Sequence, residues 1–213
     1  KKKKKKLRNL MVIKIGIDFD NTIVNYDSSF HQEAIKRKIF TKSQREKNSK
    51  NLLKNRLISR KKDEEWTTIQ GIVYGKKMFK AKPYKDSVKF INKYSNKKNF
   101  KLFIVSHKTL HPIIGEKINL HKISKDWIIK KKIFKNKKIE WINKHVFFLQ
   151  TKEEKIKKII ELKCDYFIDD LEEILKKLPK KIKTIHFDPY EKSAKPSLKS
   201  WSNLIKIITN NGK

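Results

Sequence analysis

Val12-Ile13-Lys14-Ile15-Gly16-Ile17-Asp18-Phe19-Asp20-Asn21-Thr22 opens on a short run rich in β-branched residues, broken only by Lys14 and Gly16, and runs into two acids. A continuous apolar run of this kind, without strict alternation, is the pattern of a strand buried on both faces of a parallel sheet. The strand is predicted to end at Asp18. Carboxylates at i and i+2 point the same way along an extended chain. Where the strand stops and the chain turns, both can face one site.

The same pattern recurs downstream. Leu102 to Val105 is a second buried strand, ending at Ser106. Val146 to Leu149 is a third, Asp165 to Ile168 a fourth that runs into Asp169 and Asp170, and the stretch around Thr184 to Phe187 a fifth. Helical patterns lie between them. Pro83 opens one through about Tyr94, with Val88, Phe90 and Ile91 inward. Others fall near 122–132 and 137–143. Thr151, followed by Glu153 and Glu154, reads as the N-cap of a helix to about Leu162, and Trp201 to Ile208 closes the chain as a helix.

Strands alternating with helices predict an α/β fold, a Rossmann-like parallel sheet with helices on both faces. Ligands of such sheets sit at the carboxyl ends of the strands, where Asp18, Ser106, Asp169 and Asp170 all fall. Residues 28–62 are polar and Lys-rich and predict one or two helices. Trp66 to Met78, with Gly71 and Gly75 among apolar residues, predicts a bend or small packed loop. The chain is thus divided into a disordered basic tail (1–10), a core (11–24 and 82–213) and a small helical insertion (25–81).

The 213 residues suffice for one such core plus the insertion. A single cysteine, Cys164, excludes an internal disulfide and cysteine-rich zinc sites, and points to a reducing, cytoplasmic compartment. The apolar runs are too short to span a bilayer. The basic N-terminus lacks the features of a signal peptide. The formal net charge is +34, of which Lys1–Lys6 and Arg8 supply only a minority. Lysine spread evenly along the chain favours composition-driven, solvated charge over a dedicated nucleic-acid surface. In either case the field favours anionic substrates such as phosphate esters.

The paired acids suit a particular chemistry. One carboxylate can attack phosphorus and form an aspartyl-phosphate, splitting hydrolysis into two steps. The other can protonate the leaving oxygen and then deprotonate water. A carboxylate-rich pocket repels phosphate unless a divalent cation lies between them, and magnesium fits that role.

Asp18-Phe19-Asp20-Asn21-Thr22 after an apolar strand resembles the first motif of the haloacid dehalogenase (HAD) superfamily, Asp-x-Asp-x-Thr. Leu102 to Ser106 resembles the second motif, and Tyr166-Phe167-Ile168-Asp169-Asp170 the fourth. The third motif is a lysine near the start of the preceding helix. Lys152 and Lys155 are both candidates, and Lys155, one turn in, is preferred.

The resemblance implies a magnesium-dependent phosphatase acting on a small phosphorylated substrate. Asp18 would be the nucleophile and Asp20 the general acid/base. Ser106 and Lys155 would hold the phosphoryl group. Magnesium would lie among Asp18, Asp169, Asp170 and the backbone carbonyl of Asp20. Thr22 would support the turn and, with His107 and Lys108, stand near the substrate. The 25–81 insertion would be a cap over the site.

Blander readings stand beside these. Asp170 could cap the following helix, and His107 and Lys108 could be ordinary loop residues. The remaining histidines, His31, His111, His121, His145 and His186, show no metal-ligand spacing and read as surface or packing residues, although His111 and His121, in the loop region after Ser106, could approach substrate. Trp66, Tyr74 and Phe79 either line the lid over the site or form the insertion's core, the latter slightly favoured; Trp127, Trp141 and Trp201 read as helix anchors, and Cys164 as inert. Dehalogenation is disfavoured because it needs neither the second acid nor a metal. The competing functions are a phosphotransferase or mutase using the same residues, a basic nucleic-acid-binding protein on the same scaffold, and a phosphatase of nucleotides or polynucleotide ends.

Overall fold

The structure, a computed structural model, describes residues 12–191, 197–204 and 207–208; the basic tail expected at 1–10 lies outside them. In chain order the strands are β1 (Ile13–Ile17), β2 (Val24–Asn25), β3 (Lys82–Pro83), β4 (Phe100–His107), β5 (Val146–Leu149), β6 (Tyr166–Asp169) and β7 (Lys183–His186). The α-helices are α1 (Asp27–Lys36), α2 (Ser49–Ile58), α3 (Asp63–Tyr74), α4 (Ser87–Ser95), α5 (Leu120–Lys130), α6 (Ile139–His145), α7 (Lys152–Glu161) and α8 (Glu172–Lys177).

The main sheet has the order β5-β4-β1-β6-β7, and every pairing in it is parallel. This is the α/β, Rossmann-like architecture that the alternating pattern predicts. The chain works outward from β1 on one side through β4 and β5, then crosses back to β6 and β7. The strand order therefore reverses at β1, and a crevice opens at the carboxyl ends of β1, β4 and β6.

Ile15, Ile17, Leu102, Ile104, Ile168 and Phe19 form the core on one face of the sheet. Phe103, Val105, Ile159, Phe167 and Ile174 form it on the other. Burial on both faces explains why these strands read as apolar runs. Gly16 is needed where it stands: a Cβ there would lie 2.6 Å from the Phe167 ring and 3.1 Å from Cys164 Sγ. The missing side chain lets the Phe167 ring lie directly against β1.

β2 and β3 pair antiparallel, Val24 with Pro83 and Asn25 with Lys82, so the chain leaves and re-enters the main layer at one place. Between them α1, α2 and α3 pack on one another around Phe30, Leu53, Leu57, Trp66, Ile69 and Val73. Two local expectations are corrected here. Trp66 to Tyr74 is helix, not a bend. Gly71 is there for space, because a Cβ on it would meet the Ile114 carbonyl oxygen at 2.6 Å. Pro83 lies in a strand and does not open the helix; α4 begins at Ser87, after Asp86 takes a left-handed φ of 65°.

The C-terminal helix begins as a single 3-10 turn, Trp201–Asn203, and only Leu204, Ile207 and Ile208 of its continuation are described. No helix among the described residues is long and apolar enough to cross a membrane.

Candidate active site

β1 delivers Asp18 to the crevice. Its N–H donates to the Ile168 carbonyl of β6 at 2.8 Å, so the backbone is held by the neighbouring strand. The chain then turns, with Asn21 at φ 60°, a left-handed conformation that Asn tolerates well. The turn closes with a bridge between Asp20 and Val24, which aims Asp20 at the same space as Asp18.

Ser106, near the end of β4, donates its hydroxyl to Asp18 Oδ1 at 2.8 Å. Lys155 reaches the same oxygen at 2.6 Å and Asp169 Oδ2 at 2.6 Å. The lysine belongs to the first turn of α7, whose start is fixed by a capping box between Thr151 and Glu154. Lys152, the other lysine considered, points elsewhere and pairs with Glu173 at the surface.

Asp18, Lys155 and Asp169 are at most 3% exposed. Charges taken so far from water must be paired, and here each is. Burial works against the Lys155 ammonium, but Asp18 and Asp169 outweigh it and hold its pKa above the ordinary lysine value. Burial first, and then Asp18, push the Asp169 carboxyl up, with Lys155 opposing. Asp170 is pushed up to about 6, by burial first and by Asp18, with Lys50 opposing.

Carboxylate oxygens of Asp18, Asp169 and Asp170 all lie within 4.8 Å of one another. Magnesium binds oxygen at about 2.0–2.1 Å in an octahedron, so opposite ligands stand about 4 Å apart. Three hard oxygen donors at this spacing fit that ion with a small adjustment. The backbone oxygen of Asp169 is spent within the sheet, accepting from Phe187 N–H at 2.9 Å. Its side chain remains for the site, steadied where Oδ1 accepts the Leu171 N–H at 3.0 Å.

The other anticipated residues divide. Lys108 is buried, and its ammonium lies on the Asp20 carboxylate at 2.8 and 3.1 Å. His121 accompanies it, with Nε2 2.7 Å from the Lys108 carbonyl oxygen. His107 borders the cavity with Nε2 3.0 Å from the Gln150 carbonyl oxygen. Thr22 is fully buried and borders no part of the cavity. Its carbonyl accepts from the Trp201 indole at 3.0 Å, so it supports the turn from behind.

Two further residues, Tyr26 and Lys50, are not singled out by the sequence, and Tyr74, read there as lid lining or core, joins them at the cavity. The Tyr26 hydroxyl donates to Asp20 Oδ1 at 2.5 Å, and burial with Asp20 beside it raises its pKa well above the phenol's ordinary value. The Tyr74 ring, at the end of α3, takes the Lys108 ammonium 4.9 Å from its centroid. Lys50, in the first turn of α2, borders the cavity as well. Tyr26 could have been suspected only as an aromatic flanking the insertion, and nothing in the sequence separates Lys50 from its many neighbours.

The cavity over Asp18 has a volume of ≈ 300 Å³. Its floor is the acid and lysine cluster, and its walls are α3, through Thr67, Gln70 and Tyr74, and the loop after β4, through Thr109 and Pro112.

No protein-family profile matches the sequence, and no curated protein matches it either. Solved structures do. A HAD hydrolase from Bacillus subtilis, YfnB, crystallised with magnesium, is similar over 93% of this chain and 99% of its own, at 11% identity and a TM-score of 0.55. A HAD-superfamily hydrolase from Ehrlichia chaffeensis is similar over 94% of this chain and 97% of its own, at 12% identity and a TM-score of 0.50. The chain therefore has the HAD-like fold.

Proposed function

We propose that the protein is a magnesium-dependent phosphomonoester hydrolase working through an aspartyl-phosphate on Asp18. The observation that carries this reading is the convergence of three strand ends. A buried carboxylate, its two donors Ser106 and Lys155, and two further carboxylates meet on the floor of one cavity. The magnesium in the crystals of the Bacillus neighbour supports it. So does the cavity volume, at the lower end of the roughly 300–1,000 Å³ of ligand sites, which suits a small phosphorylated metabolite.

Bound among Asp18, Asp169, Asp170 and the Asp20 carbonyl, magnesium would offset the charge of the phosphate and of the carboxylates around it. The chain's own groups do the rest. Ser106 and Lys155 both bind Asp18 Oδ1, and among the described residues no donor reaches Oδ2. Oδ2 is thus left to attack phosphorus, while the Lys155 ammonium offsets charge building on the phosphoryl oxygens.

Asp20 accepts from Tyr26 and Lys108, which hold its carboxylate at the cavity, where in the second step it takes the proton of the attacking water. Protonating the leaving oxygen in the first step requires these contacts to loosen. The helices of the 25–81 insertion act as the cap, excluding water from the reacting atoms.

The test is Asp18→Asn with p-nitrophenyl phosphate and magnesium. The variant is expected to lose at least about 1,000-fold in kcat/KM while its thermal unfolding stays within a few degrees of the parent. Wild-type turnover in that variant would remove Asp18 as nucleophile.

A further inference from the structure

Lys50 is placed unlike the other lysines of the site. Lys155 and Lys108 each lie on carboxylates at 2.6–3.1 Å. Lys50 also faces acids, Asp170 and Asp20, yet among the described residues it has no ion pair within 4.0 Å. Its ammonium sits 6.0 Å from the centroid of the Tyr74 ring.

The backbone that carries it is tightly held. Asp27 accepts the N–H groups of Asn48 at 2.7 Å and Lys50 at 3.2 Å. The Tyr190 hydroxyl, from the far end of the chain, donates to the same carboxylate. Lys50 therefore belongs to the insertion but is tied to the core. It borders both the cavity over Asp18 and a second one of ≈ 420 Å³ beside it, along with Asn21, Asp170 and Leu171.

A half-buried cation on a fixed backbone, without a carboxylate in contact, keeps hydrogen-bonding capacity for an anion that enters the cavity. Burial works against its charge, but Tyr74, Asp170 and Asp20 outweigh it and hold the ammonium above its ordinary pKa. It therefore stays charged at neutral pH.

Charge balance says what the anion is. Among the described residues, the four carboxylates of Asp18, Asp20, Asp169 and Asp170 share the site with three ammonium groups, Lys155, Lys108 and Lys50, one positive charge fewer. A divalent cation turns this into a surplus of one, which favours a phosphate dianion. Without Lys50 the surplus vanishes.

We propose that Lys50 is the substrate-contacting residue of the insertion, a third lysine of the phosphate cradle supplied from across the cavity. The inference rests on the phosphatase reading and names the group by which the insertion takes part in binding. It has a consequence of opposite sign for the metal, because the ammonium that draws phosphate in also repels a divalent cation from Asp170.

Isothermal titration of the full chain separates these effects. Magnesium is titrated alone, then inorganic phosphate at saturating magnesium, into wild type, Lys50→Met and Lys50→Arg. Lys50→Met is expected to weaken phosphate about tenfold or more, the usual worth of a charge-assisted hydrogen bond. The same variant should bind magnesium at least as tightly as wild type, and Lys50→Arg should restore phosphate. Unchanged phosphate affinity in Lys50→Met overturns the inference and leaves the phosphatase reading intact. Weakening of both ligands also overturns it, since Lys50 would then only brace the fold. A wild-type protein that binds magnesium but no phosphate overturns this inference and the phosphatase reading together.

Discussion

The two sides of the cavity are built on different terms. On the sheet side Asp18, Lys155 and Asp169 are almost wholly buried, and every charge is matched at 2.6 Å by another. On the insertion side Lys50, Thr67 and Gln70 are only half-buried, and Lys50 has no ion pair among the described residues. Burial forces pairing, so the sheet-side groups hold one another in place before a ligand arrives. Partial exposure relaxes that demand, so the insertion side can take its partner from the ligand. The contrast suits a fixed chemical step beneath a wall that selects what is processed.

The largest test of this contrast is Lys155→Met. It leaves two carboxylates facing each other out of water, and should cost about 3–5 kcal/mol of stability as well as activity. Denaturant unfolding measures it. The same replacement at Lys152, half-buried and paired at the surface with Glu173, is the control, with less than about 1 kcal/mol expected. Equal losses at the two positions would erase the distinction between a sheet side held by its own pairs and a tolerant surface.

The pH dependence of magnesium binding is expected to be smaller but sharper. Asp170 carries its proton up to about pH 6 in the metal-free protein. A cation must displace that proton, so affinity is full above this value and falls as pH drops below it. Between pH 7.5 and pH 5 the loss should be about tenfold, read by titration with magnesium chloride. A flat profile would mean that Asp170 is no ligand.

The smallest effect is expected from Gly71→Ala, on the insertion side. Alanine favours a helix by about 1 kcal/mol over glycine, but its Cβ meets the Ile114 carbonyl oxygen at 2.6 Å, and such overpacking costs about 1–3 kcal/mol. A net loss near 1 kcal/mol is expected, with the loop after β4 pushed away from α3. KM for p-nitrophenyl phosphate should rise while kcat changes little, because Asp18 and its partners do not touch that contact. A fall in kcat alone would show the two sides to be mechanically one.

The sheet side was far more legible in the sequence than the insertion side, for physical reasons. A buried parallel strand must be apolar on both faces, so β1, β4, β5 and β6 announce themselves, and the polar residues that interrupt them mark the crevice. Even so, β4 runs from Phe100 to His107, longer than its apolar stretch, because backbone pairing continues past the hydrophobic residues.

The insertion obeys no such rule. In α2 the apolar residues are split between buried Leu53 and Leu57 and exposed Leu52 and Ile58, which blurs the helical period. Gly71 looks like a breaker when it is a spacer. Lys50 is one of 56 basic residues, and only the folding of α2 against the core distinguishes it.

The packing beneath β1 has a practical consequence. The protein's single thiol, Cys164, lies against the strand that carries Asp18, where a side chain on Gly16 would strike it, and burial pushes its pKa up to about 12. So placed, it cannot be alkylated while the sheet is closed. The rate at which a thiol reagent labels the unaltered chain therefore clocks the opening of the sheet's centre, with no engineered probe and no competing cysteine to subtract.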